Sequence, residues 1–136
     1  MAKVLEGPGM GLMKKWGISV PNYVVVTSVD ELTRLGQANE WLKKSKLVAK
    51  AHEALGSRFK LGLVKIDLDF KAAEAATKEM IGRQVGSITV TQVIVSEMIP
   101  HKEEYYCAVK STREGSEILV ANCGGIEVES NWERVK

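Results

Sequence analysis

The apolar positions of this chain change period several times. The run at 23–26, YVVV, lies between Pro21-Asn22 and Thr27-Ser28 and predicts a buried strand. Leu32, Leu35 and Trp41-Leu42 then recur as a helix face behind Ser28 and Glu31, which have capping-box spacing, with Gly36 as a weak point inside that helix. Two apolar runs, 47–49 and 61–64, read as neighbouring strands, the first stopping on Lys50. Asp69 is the expected N-cap of a helix carrying Phe70, Ala73, Ala76, Met80 and Ile81 and ended by Gly82, with Glu74 and Lys78 as an outer ion pair. Residues 88–95 read as one strand running into an extended segment, Ser96-Glu97-Met98-Ile99-Pro100. From Glu104 a further strand sets Tyr105, Cys107 and Val109 on one face and Tyr106 and Ala108 on the other, then turns at Arg113-Glu114-Gly115-Ser116 into a strand over 117–121.

At the beginning, Gly7, Pro8, Gly9 and Gly11 predict a turn, followed by a short packed helix with Leu12, Met13 and Trp16 that stops at Gly17. At the other end, residues 131–136 look like a helix just starting, which suggests a piece of a longer protein. The order of helix, β, α, β, β, α, β and hairpin predicts a mixed α+β sheet protein, not a doubly wound parallel sheet.

A chain of 136 residues and 15.0 kDa suffices for one domain with a core. Interspersed charges summing to +2 and 6% aromatic residues offer neither a basic stripe nor stacking platforms, so nucleic acid is not an expected partner. No apolar run approaches the ~20 residues of a membrane helix, and MAKVLEGPGMG has no signal-peptide core, so no membrane partner and a cytoplasmic location are expected. Cys107 and Cys123 lack CxxC spacing and read as free thiols, and no metal ligands are assigned. His52 and His101 stand without triad or ligand spacing, so no catalytic residue is assigned either.

Lys50 is the feature that needs a reason. A cation at the end of a buried strand, followed by a loop with Arg58 and Lys60 and by a return strand, can hold phosphates. Lysine acts as a point charge, and arginine can fork onto two oxygens. Gly56 and Gly62 would let that loop approach an anion closely. A plain hairpin with a solvated basic loop stands as the other reading. GPGMGLMKK lacks the P-loop pattern and a preceding strand, and Cys123-Gly124-Gly125 marks a bend where backbones come close. In VIVSEMIPHKEEYY, an extended linker at 97–99 offers backbone groups to an adenine edge with Met98 as an apolar wall, and Glu104 can accept from ribose hydroxyls.

Four stretches, LVAK, LGLVK, VIVSEMIPHKEEYY and CGGIEVESNWERVK, resemble the corresponding segments of the ATP-grasp subunits of ATP-citrate lyases, from about Pro21 to Lys136. The succinyl-CoA synthetase β subunits are similar less closely, with EGGVEIE where this chain has CGGIEVE. GPGMGLMKKWGISVP resembles the small subunit of the bacterial two-subunit form. The resemblance implies an ATP-grasp fold, with an N-terminal lobe over 1–95 and a hinge and the start of the second lobe over 96–136. It implies ATP contacts at Lys50, at Arg58 and Phe59 on a phosphate-covering loop, at the backbones of Glu97 and Ile99, and at Glu104 for the ribose. Relatives usually have Gly where Phe59 stands, which puts the close approach of that loop in question.

The resemblance further implies Mg²⁺ with ligands beyond this chain, a large companion subunit carrying a phosphorylated histidine, and conversion of citrate and CoA to acetyl-CoA and oxaloacetate through citryl-CoA. By itself the chain is expected to be inactive. A succinyl-CoA or citryl-CoA synthetase subunit, or a non-catalytic subunit-interaction module, is the alternative.

Overall fold

The structure, a computed structural model, describes residues 4–125 and 132–136. It contains two compact units, Met1–Ile99 and Pro100–Lys136. The first unit is built on a four-stranded antiparallel sheet in the order β1-β6-β2-β3, formed by β1 Tyr23–Val26, β2 Leu47–Ala51, β3 Val64–Leu68 and β6 Val93–Glu97. Its helices are α1 Glu6–Lys15, α2 Val29–Ala38, the single turn α3 Trp41–Lys44 and α4 Phe70–Met80. A small hairpin, β4 Gln84–Val85 and β5 Ile88–Thr89, leads into β6.

Period-two alternation divides the sheet into two faces. Leu47, Ala49 and Ala51 of β2, Val93 and Val95 of β6, and Val26 of β1 enter the main core together with Leu32, Leu42, Ala73 and Met80 from the helices. Val25, Ile94, Lys50 and Val64 are register partners across the four strands, so they share the opposite face. Lys50 is therefore not a strand end. It lies inside β2, one residue before Ala51, and emerges on the face away from the core. Likewise the second strand of that pair begins at Val64, where the sequence pattern has it stop, because residues 58–62 form a hydrogen-bonded turn.

Four other expectations are corrected. Residues 88–95 do not form one strand, since β5 and β6 are separate elements. Trp41 and Leu42 do not continue α2, which ends at Asn39, where extended backbone breaks the helix. Gly36 is a packing requirement and not a weak point, because a Cβ there would lie 2.3 Å from Cζ of Phe70 on α4. Glu74 accepts from Thr33 Oγ1 of α2, and among the described residues no ion pair joins it to Lys78.

The N-termini of α2 and α4 follow the sequence closely. Asp69 caps α4 by accepting from the Ala72 N–H at 2.8 Å, and Ser28 caps α2 by accepting from Glu31 N–H at 3.2 Å. The return bond of the box goes one residue further back, from Thr27 N–H to Glu31 Oε2 at 2.8 Å. Together with the Thr27 hydroxyl, that bond holds the Glu31 carboxyl below its usual range. Helix α1 starts at Glu6 and runs through the glycines expected as a turn. It stops in a Schellman arrangement, with Gly17 at φ +76° and Ile18 N–H donating to Met13 O. Its packed residues are Gly7 and Met10, whereas Leu12, Met13 and Trp16 are exposed.

The second unit is a hairpin of β7 Tyr106–Ser111 and β8 Ser116–Ala121. Lys136 exchanges backbone hydrogen bonds with Val120, and residues 132–134 form one 3₁₀ turn. Residues 126–131, which include most of the GGIEVE stretch and the expected helix start at Asn131, lie outside the described residues.

Candidate functional site

In the first unit the chemistry gathers on the sheet face that carries Lys50. Lys50 Nζ lies 2.6 Å from Glu6 Oε1, and Arg58 Nη2 lies 2.9 Å from Glu6 Oε2. Both cations are thus brought onto one carboxylate from the first turn of α1. Arg58 is also held by Nη1 donating to Ala51 O at 2.8 Å, which ties the loop back to the end of β2. All three side chains retain only about a quarter of their exposure, 27% for Lys50, 24% for Arg58 and 25% for Glu6. Burial alone would raise the Glu6 carboxyl. The hydrogen bond and charge of Lys50, then those of Arg58, outweigh it and hold the group below the ordinary carboxylate range. Two cations therefore share one carboxylate at this largely buried spot, leaving the cluster with a net positive charge.

The loop is shaped by residues other than those the sequence points to. Gly62 has φ +68° as a tight return requires, but Gly56 does not take a left-handed conformation; Ser57, at φ +53°, does so instead, immediately before Arg58. The carbonyls of Ser57, Phe59 and Arg58 accept from Leu61, Gly62 and Leu63 N–H, closing a compact turn. Phe59 is half-exposed on it.

At the far end of β6, the N–H of Glu97 donates to Asn22 O at 2.8 Å and that of Met98 to Lys46 O at 2.7 Å. The Glu97 carboxylate accepts from Ser45 Oγ at 2.7 Å and from Asn22 Nδ2 at 3.1 Å. Its N–H and side chain are therefore engaged in joining strand ends, and the backbone group it can offer to a base is the carbonyl. Ile99, half-exposed, closes this unit.

In the second unit, Glu104 lines a shallow open pocket with His101, Tyr105, Asn122, Cys123 and Gly124. Glu104 Oε1 lies 3.0 Å from His101 Nε2, and its Oε2 occupies the space where a Cβ on Gly125 would stand, 1.8 Å away. A Cβ on Gly124 would meet Tyr105 O at 2.7 Å, so the close backbone approach expected at this glycine pair is present. Among the described residues no group of three or more His, Cys, Asp or Glu side chains could hold a metal ion. No helix among them is long and apolar enough to cross a membrane.

Sequence reasoning missed Glu6 and His52. His52 is 3% exposed and accepts from the Gly7 N–H at Nε2, 3.0 Å away, while its Nδ1 meets Gln92 Oε1 at 3.0 Å. Glu6 carried no signal, since it lies 44 residues from Lys50 in a stretch that reads as a turn. Helix periodicity through Met10 is the one clue that could have placed it on a helix.

Residues 3–134 match the ATP-grasp domain model. The chain belongs to the ATP-grasp family, whose domains in general bind ATP with Mg²⁺. Its α+β fold is that of this family. Among similar proteins are ATP-citrate synthase alpha chain protein 1 of Arabidopsis thaliana, 39% identical over 83% of this chain and 28% of the relative, and the ATP-citrate synthase of Homo sapiens, 32% identical over 78% and 10%. The chain thus spans a little over a quarter of the plant relatives it matches. A solved ATP citrate lyase from Methanothrix soehngenii, in complex with citrate and coenzyme A, is 36% identical, with TM-score 0.68 over 77% of this chain and 26% of that one. A dinucleotide-forming acetyl-coenzyme A synthetase of Ca. Korarchaeum cryptofilum shares the fold with TM-score 0.78 at 20% identity.

Proposed function

We propose that this chain is the ATP-binding part of an ATP-citrate lyase, in which ATP phosphorylates a histidine of a large companion subunit. The phosphate then passes to citrate, citryl-CoA forms, and cleavage gives acetyl-CoA and oxaloacetate. The observation that supports the reading is the convergence of Lys50 and Arg58 on one carboxylate at a largely buried spot. In phosphoryl transfer most of the catalytic work is charge stabilisation and positioning, and these two side chains supply both. Lys50 is held by the sheet, and Arg58 by the Ala51 carbonyl, so little reorganisation is needed when phosphates arrive.

In this reading Phe59 belongs to the loop over the phosphates. The Glu97 carbonyl accepts from a 6-amino group, Ile99 contributes its backbone, and Glu104 accepts from the ribose. We take 1–95 as N-terminal lobe and 96–136 as hinge and start of the second lobe, and the location as cytoplasmic. ATP supplies the phosphoryl group. No cluster of described side chains fits Mg²⁺, so no step through the metal is assigned to this chain. The test is transfer of labelled γ-phosphate to the companion histidine in the full assembly. Lys50→Met should slow it by about a hundredfold, the effect of removing one donor aimed at developing charge. Normal transfer by the variant contradicts the reading, and discharge of the phosphorylated histidine by succinate with CoA but not by citrate with CoA redirects it to a succinyl-CoA synthetase.

A further inference from the structure

Glu6 has been placed so far only as a partner of the two cations, yet its backbone is fixed to a degree that a surface carboxylate does not require. Next to it, Gly7 donates its N–H to the buried His52 and accepts at its carbonyl from Tyr23 Oη at 2.9 Å. A side chain at Gly7 would be tight, since a Cβ would lie 3.0 Å from Val25 Cγ2 and 3.1 Å from His52 Nε2. His52 is itself fixed: Nε2 accepts from Gly7, so the ring proton sits on Nδ1 and is donated to Gln92 Oε1. The first turn of α1 is therefore seated on the sheet face, and it presents a carboxylate with one oxygen on each cation.

We propose that Glu6 is an internal competitor for the phosphate site: its carboxylate fills the anion position between Lys50 and Arg58, and a nucleotide phosphate binds by displacing it. The proposal rests on the phosphate role of Lys50 and Arg58. A carboxylate carries one charge and two acceptor oxygens, whereas a terminal phosphate carries more charge and three, so the exchange favours the phosphate. Until then the carboxylate keeps two like charges converged that would otherwise repel. It also subtracts from the affinity that two unopposed cations would give. Because α1 remains anchored through Gly7, the exchange needs only a rotation of the Glu6 side chain.

Inorganic triphosphate, titrated calorimetrically at fixed ionic strength into the whole chain and its variants, reads this directly, with adenosine as the uncharged control. Glu6→Gln keeps size and removes charge, and it should bind triphosphate about tenfold tighter than wild type, allowing for partial exposure of the site. Adenosine binding should be the same in both. Glu6→Asp keeps the charge and should stay near wild type, which separates charge from any change in folding. Unchanged or weaker triphosphate binding by Glu6→Gln, with Lys50→Met losing it, overturns the role of Glu6 and leaves the phosphate site standing. Binding indifferent to Lys50→Met, or no triphosphate binding by wild type and Glu6→Gln alike, overturns both.

Discussion

Strands β6 and β8 carry similar apolar sequences, VIVSE and SEILVA, and end in opposite environments. β6 lies between β1 and β2, and Val93, Ile94 and Val95 are fully buried, because the main core covers one face of its sheet and α1 approaches the other. In the hairpin of the second unit, Cys107 faces Val120 and Val109 faces Ile118 across the register, so the four share one face. Val109, Ile118 and Val120 are all at least half exposed there, while the other face holds the buried Ala121 and the edge-to-face contact of Tyr106 with Trp132. Alternation decides which side chains stand together. It does not decide whether anything covers them, and a two-stranded hairpin by itself gains little from its apolar face.

If that contrast is right, substitutions in the two units should differ sharply in cost. Leu47→Ala empties a fully buried site in β2 and should destabilise by about 2 to 5 kcal/mol in urea unfolding. Gly36→Ala pushes a methyl into the Phe70 ring and should cost about 1 to 3 kcal/mol, although Ala is the better helix former. Acid should then expose the contribution of Glu6. Its carboxyl is depressed in the folded state, so the stabilisation is fully present above the unfolded value of about 4.3 and is lost as pH falls through the lower folded value. Urea midpoints measured from pH 7 down to pH 3 should therefore converge between wild type and Glu6→Gln only at the acid end. Ile118→Ser should shift stability by no more than about 0.5 kcal/mol, and a larger loss would mean that the exposed face is doing more than the hairpin suggests.

Much of the first unit was legible because its signals are local. The Asp69 cap, the Ser28–Glu31 spacing and the YVVV strand each sit within a few residues of the structure they specify. What escaped is long-range. Gly36 looks like a helix defect until Phe70 is known to lie across it, and residues 61–64 look like a strand until Arg58 O is seen to accept from Leu63 N–H. The site behaved in the same way. Lys50 and Arg58 stood out as cations beside a strand, but the carboxylate between them comes from a helix at the start of the chain, and no spacing rule connects position 6 to positions 50 and 58. Glu104 stands out in the sequence through its neighbours in VIVSEMIPHKEEYY, whereas its packing against Gly125 does not, since that depends on how the chain returns after β8.

The central claim is that Lys50 and Arg58 form a phosphate site, and nucleotide titration of wild type against Lys50→Met tests it most directly. Wild type should bind ATP more tightly than adenosine. Lys50→Met should weaken ATP by about ten- to hundredfold, as expected for loss of one charge-assisted contact, and leave adenosine unchanged. Equal ATP affinity in the two proteins would contradict the claim.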